Sequence, residues 1–130
     1  MLVEPIYTQN KADLVTLGSV YEAVNKKRPF QTLGIVGNKN WVDNNGTLVR
    51  RVSLAIGAAA RWANRNPDEC VPLLGQFTKI SEGIIAAYPR IAFAESNNST
   101  LVQPVIDMLS RFGYLPHAFD AASLFAPGVL

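Results

Sequence analysis

The sequence predicts a helix-rich α/β chain, and three observations carry that expectation. Leu48, Val52, Ala55, Ile56, Ala59, Trp62 and Ala63 recur at helical spacing as one apolar stripe, with Arg50, Arg51, Arg61 and Arg65 mostly off it. Residues 30–36 form one β-branched, apolar run bounded by Pro29 before and Gly37-Asn38 after. Polar clusters suited to helix starts, Asn44-Asn45, Asn66-Pro67 and Asn97-Asn98-Ser99-Thr100, punctuate the remainder. The 130 residues suit one ordinary domain, and 48% hydrophobic with 17% charged residues marks a globular chain rather than a disordered one.

In chain order, Leu2-Val3 followed by Glu4-Pro5 reads as the tail of a strand entering a bend, because proline disfavours helix at the residue before it. Such a strand would lack the structure that normally precedes it. Residues 11–24 have mixed apolar spacing, and Gly18 weakens a helix there, so a connector with one helical turn is expected. Residues 30–36 are expected as an interior strand. Asn44-Asn45 should cap the helix that carries the long stripe. Asn66 should cap the next one, with Pro67 in its first turn and Asp68 and Glu69 at the positive end of its dipole. Val71, Leu74 and Phe77 supply that helix's buried side, and Pro72 should bend it for want of an N–H donor. A short helix over residues 81–87 ends at Tyr88-Pro89, and residues 91–93 read as a short extended piece. The final long helix presents Leu101, Val105, Met108, Leu109 and Phe112 and terminates at Gly113. Asp120 caps a last turn reaching Phe125.

Several function classes fall away on composition. The net charge is +2, and the one basic cluster, Lys26-Lys27-Arg28, runs straight into Pro29 as a solvated turn, so no nucleic acid is expected as partner. Cys70 is the only cysteine, which excludes an intrachain disulfide and metal sites built on paired cysteines. Apolar runs fall short of the roughly 20 residues that span a bilayer; the longest, residues 52–60, is broken by Ser53 and flanked by arginines. Met1-Leu2-Val3-Glu4-Pro5 lacks the charged head and apolar body of a signal peptide, so the chain as written is expected in the cytoplasm.

Candidate chemistry is sparse. His117 has no partner base or nucleophile near it in sequence and reads as an ordinary loop histidine. Cys70 reads as a small semi-buried filler. Asp13, Asp43 and Asp107 lack the spacing of metal ligands or of a catalytic carboxylate pair, and the glycines at 34 and 37 match no dinucleotide or phosphate-loop fingerprint. Trp41 and Trp62 border strong helix signals and read as core anchors. No catalytic residue, metal or cofactor is therefore expected, and the chain reads as a binding protein rather than an enzyme. Glu4 is the one candidate ligand-binding residue: its carboxylate, set between an apolar strand end and Pro5, either meets a donor group in a cleft or sits on a hinge surface.

The order of these pieces carries a resemblance. Leu2-Val3-Glu4-Pro5, then the 30–36 run, then Ala60-Arg61-Trp62-Ala63-Asn64-Arg65-Asn66-Pro67-Asp68-Glu69 resembles the substrate-binding proteins of ABC importers. The nearest branch handles nitrate, sulfonates, taurine and thiamine-precursor pyrimidines, the type II periplasmic binding proteins. Leu74-Gly75-Gln76-Phe77-Thr78, Gln103-Pro104-Val105-Ile106-Asp107, Phe112-Gly113 and Phe119-Asp120-Ala121 continue the similarity, so it covers almost the whole chain but only the C-terminal part of such proteins. Gly46 stands where the family often has proline, and Cys70 where alanine is common.

The resemblance implies a clamshell of two α/β lobes joined by two crossovers, with a small solute held between them and delivered to an ABC permease. Residues 1–130 would be a single partial domain: 1–8 the second crossover or hinge, 9–29 a connector, and 30–130 the strand and helices that complete the first lobe. The acid at the Glu4 position faces the cleft in some members of the family. The family works in the periplasm or cell envelope. The half carrying most ligand contacts lies outside these residues, so solute binding by this chain alone is not expected. Two rivals stand beside this reading, a remnant of a thiamine-pyrimidine synthase on the same fold and a standalone helical interaction module without a ligand. With its strand edges unpaired and its long stripe uncovered, the chain is expected to form homodimers, by exchange of residues 1–8, or to aggregate.

Overall fold

The computed structural model describes residue 4, residues 6–25 and residues 28–127. The expected strand tail at Leu2-Val3, Pro5 and the Lys26-Lys27 pair lie outside the described residues. Among the described residues seven α-helices follow in order: α1 (Ile6–Asn10), α2 (Val20–Asn25), α3 (Lys39–Asn44), α4 (Gly46–Arg65), α5 (Pro67–Thr78), α6 (Glu82–Ala87) and α7 (Ser99–Arg111). Two 3₁₀ turns, Lys11–Asp13 and Ala121–Leu124, complete the regular structure. The chain is thus helix-rich, as expected, and no strand forms among the described residues.

The expected strand at residues 30–36 is corrected: this run is irregular coil. Its residues have the right character, but a strand exists only with a neighbouring strand to take its backbone groups, and there is none among the described residues. Leu33, Ile35 and Val36 are 83%, 78% and 92% exposed instead. The connector is also more helical than expected, with α2 and the Lys11–Asp13 turn falling inside it.

The chain divides into two compact units, one made of Met1–Leu17 with Ala58–Phe93 and the other of Gly18–Gly57 with Ala94–Leu130. In the first, α5 packs on α6 and α1 also touches α6. Ile85, 1% exposed, and Cys70 are its buried side chains along with Ala60. α5 ends on Lys79, which adopts the left-handed conformation (φ 62°) so that its N–H reaches the Gly75 carbonyl at 3.0 Å. α5 runs on through Pro72. Val71 and Leu74 are half-buried as expected, whereas Phe77 is 87% exposed. The 91–93 piece is not a strand; Asn64 holds it, donating to the Phe93 carbonyl and accepting from the Phe93 N–H, both at 2.9 Å.

In the second unit α2 and the Ala121–Leu124 turn both pack on α7. Gln31 N–H donates to the Leu101 carbonyl at 2.8 Å, and the Tyr21 and Phe30 rings meet at 5.9 Å. Asn98 caps α7, its side chain accepting from the Thr100 N–H at 3.0 Å and hydroxyl at 2.7 Å. Gly113 closes the helix with φ +78°, a conformation costly for any residue with a Cβ. Asp120 caps the last turn by accepting from Ala122 N–H at 2.8 Å, as expected. Ile106 and Ala121 are buried; Phe112 is not.

The asparagines before α4 and α5 act differently from expectation. Asn38 caps α3, accepting from Trp41 N–H at 3.3 Å. Asn44, Asn45 and Asn66 point backwards, donating to the carbonyls of Asn40, Trp41 and Trp62 at 2.8 Å each. An asparagine amide donates as readily as its oxygen accepts, so each side chain ties off the preceding helix; Asn66 still stands at the N-cap of α5 as expected, its carbonyl accepting from the Cys70 N–H at 3.3 Å.

Candidate functional site

α4 has a hydrophobic stripe and a buried face, and the two do not coincide. Leu48, Val52, Ile56 and Trp62 share one side of the helix, as the sequence spacing implies, yet all four are substantially exposed. Burial instead follows small residues: Gly57 and Ala60 are buried, and Val49 and Ser53 half-buried. At 3.6 residues per turn these positions lie roughly a third of a turn from the stripe. The helix therefore buries its thin edge most deeply and leaves Leu48, Val52, Ile56 and Trp62 on its broad apolar face 40–46% exposed. Trp62 and likewise Trp41 are half-exposed rather than the core anchors expected.

Charge on α4 is one-sided. Arg50, Arg51, Arg61 and Arg65 are its charged residues, and the helix contains no aspartate or glutamate. An ion pair, Lys39 to Asp43 at 2.6 Å, lies on α3 and is exposed, so it contributes little.

The sequence-predicted residues are distributed as follows. Glu4 precedes α1, half-buried, and its Oε2 accepts from the Thr8 N–H at 3.3 Å. That carboxylate caps a free backbone donor of the short helix α1. Cys70 is buried on α5, its Sγ 3.8 Å from the Ala63 carbonyl. His117 is exposed in the coil after α7. Asp107 accepts from Gln103 Nε2 at 2.9 Å, and Asp43 is taken by Lys39. Among the described residues no three His, Cys, Asp or Glu side chains group as a metal site, and no helix is long and apolar enough to cross a membrane.

Two of the depressions among the described residues are shallow. One of about 310 Å³ lies at the α3–α4 junction, lined by Asn44, Asn45, Gly46, Thr47, Leu48 and Arg51. The other, about 470 Å³, follows the α5–α6 turn around Gly75, Lys79 and Glu82. Both open broadly to solvent, unlike the enclosed, mainly apolar clefts that bury most of a small ligand.

Sequence reasoning missed Gln103. Its side chain sits on α7 and serves three groups: Nε2 donates to Asp107 Oδ1 at 2.9 Å and to the Phe119 carbonyl at 3.0 Å, while Oε1 accepts from Ala121 N–H at 2.9 Å. A lone glutamine four residues before an aspartate is the only local signal it left.

Compared with protein-family models, curated proteins and solved structures, the chain matches none.

Proposed function

We propose that the chain is the helical flank of a solute-binding component of an ABC-type importer, non-catalytic, for a small anionic or zwitterionic organic solute. Sulfonates, taurine, nitrate and thiamine-precursor pyrimidines are the candidates. The observation that carries the reading is the partly exposed apolar face of α4. A helix in an α/β lobe lays such a face on a sheet, and the described residues supply no sheet. The order of residues quoted from the sequence supports the same reading. In this proposal the solute lies between the chain's lobe and a second one, and closure of the two captures it. The site of action is the cell envelope, and the intact protein delivers to a permease.

Calorimetric titration of the purified chain with taurine, methanesulfonate, nitrate and a thiamine pyrimidine is expected to give no saturable isotherm, because the described depressions are too open to bury a ligand. A two-lobe protein joining this chain to a complementary lobe is expected to bind one of them at micromolar concentration. A micromolar isotherm from the chain alone, or none from the two-lobe protein, would overturn the proposal.

Glu4 is the proposed solute contact. In the two-lobe protein Glu4→Ala should weaken binding by about 1.5–3 kcal/mol, the range for a charge-assisted hydrogen bond. Unchanged affinity would leave the carboxylate only its part in capping α1.

A second reading is favoured by the same exposed face: a helical interaction module that binds no solute. It predicts a stable protein complex and no isotherm in either format.

A further inference from the structure

α4 begins without a side-chain cap. The N–H groups of Gly46, Thr47 and Leu48 donate to no described acceptor, and the first turn carries no acid. Asn45, the residue placed to cap them, turns its amide away. Its Nδ2 donates to the Trp41 carbonyl at 2.8 Å and its backbone N–H to the Val42 carbonyl at 3.2 Å. It belongs to neither helix, with φ −126° and ψ 30°. Asn45 is also the only asparagine of the sequence that glycine follows, and no aspartate precedes a glycine.

That neighbour matters because the peptide nitrogen after an asparagine can close a ring on the side-chain Cγ, and glycine has no Cβ to crowd the approach. The Gly46 N–H has no described acceptor to give up first. Two bonds oppose closure: the amide bond to Trp41, and the Asn45 carbonyl's acceptance from the Val49 N–H at 3.0 Å. Both lie at helix ends, where local opening costs least. The junction borders the open depression of about 310 Å³ described above, so water reaches it. Other asparagines lack one of these conditions. The nitrogen after Asn44 is committed to Val42, Asn66 precedes a proline with no N–H, and Thr100 holds the Asn98 side-chain oxygen.

We infer that Asn45 is a site of spontaneous modification, converted to aspartate and isoaspartate through a cyclic imide with Gly46. The Gly46 nitrogen loses its proton to solvent base and its electron pair forms a bond to Asn45 Cγ. The Cγ–Nδ2 bond breaks, and ammonia leaves after taking up a proton. Water then opens the imide. Addition at Cγ restores the ordinary peptide bond and leaves aspartate; addition at the backbone carbonyl leaves isoaspartate, with the chain running on through the side chain. Water is consumed, ammonia is released and nothing is oxidised. Either product loses the donor that ties off α3 at Trp41. The aspartate also brings a carboxylate to the uncapped start of α4, at the positive end of its dipole and in the depression that Arg51 lines. Solute binding has no part in this inference or in its test.

Incubation of the folded chain in mildly alkaline buffer, with digestion and mass spectrometry at intervals, tests it. Water enriched in heavy oxygen marks each new carboxyl group, and an isoaspartyl methyltransferase labels the isoaspartate. Asn45 is expected to convert before any other asparagine and to give both products. Gly46→Ala should slow the conversion roughly tenfold or more while keeping the parent's circular dichroism, since a Cβ at that position meets nothing within 4 Å of the folded chain. Asn45→Asp, which installs one product directly, should slow hydrogen exchange at the Leu48 amide through the new cap. Conversion of another asparagine first, aspartate without isoaspartate, an unchanged rate in Gly46→Ala, or an Asn45 left intact after the urea-unfolded chain has fully converted would each overturn the site. Unchanged exchange at Leu48 in Asn45→Asp would overturn its effect on α4.

Discussion

Ile85→Ala is expected to lower the stability of its unit by about 2–4 kcal/mol, the range for truncating a buried isoleucine or leucine whose site cannot fully collapse. Ile85 is the largest fully buried side chain described, 1% exposed on α6. Its Cδ1 lies 3.8 Å from where a side chain on Gly75 of α5 would begin, an ordinary packing distance from that helix. α1 packs on the same short helix, and shrinking the side chain loosens two contacts at once. Urea unfolding followed by circular dichroism measures the change. Phe77→Ala on α5 is the matched comparison: an aromatic of greater area, but 87% exposed, so its loss should fall within about 0.5 kcal/mol. Equal effects for the two variants would mean that α6 is not packed as described.

Gln103→Ala should cost about 2 kcal/mol and act locally. The side chain makes three hydrogen bonds, one to Asp107 on the same helix and two that hold residues 119–121 against α7, and a typical bond contributes about 1 kcal/mol net. The Ala121 N–H loses its acceptor beside a residue that is 0% exposed, so the penalty includes an unsatisfied donor in a tight place. Hydrogen exchange is the decisive readout: the Ala121 amide should exchange at least tenfold faster, while amides in the middle of α7 change little. Asp107→Asn keeps an acceptor for Gln103 and should leave Ala121 protected. Uniform loss of protection along α7 would point to general destabilisation instead.

Much of the helical layout was legible in the sequence because its signals are local. Asn98, Gly113 and Asp120 mark their boundaries through bonds to residues two or three positions away, and Pro67 with Asp68 and Glu69 opens α5 where expected. What was not legible depends on distant partners. The 30–36 run has strand character, but whether it becomes a strand is decided by a neighbouring segment, not by its own residues. The buried edge of α4 escaped for another reason. Gly57 and Ala60 carry almost no hydrophobic weight, so a search for large apolar residues at helical spacing selects Leu48, Val52 and Ile56 and names the wrong face as buried. The direction of the Asn44, Asn45 and Asn66 amides was equally hidden, since the same residue opens or closes a helix. Of the candidate site, Glu4 was legible as a residue of interest, whereas the clasp made by Gln103 joins positions sixteen and eighteen residues away and leaves no periodic trace.

The Asn64 clamp on Phe93 has a consequence for how this chain tolerates change. Asn64 grips a peptide unit, not a side chain, using its amide as a surrogate strand partner 29 residues distant. The grip is therefore blind to which residue stands at 93, provided it is not proline. It also brings the two ends of the intervening α5–α6 excursion side by side. Because Cys70 and Ile85, two of the buried side chains of this unit, lie within the excursion, its contents are held by packing, and length can vary only at its exposed turns while the entry and exit points stay fixed. Diversification between Asn64 and Phe93 is thus confined to exposed positions such as Lys79 and Ser81 in the α5–α6 turn, with Asn64 itself as the position that must not move.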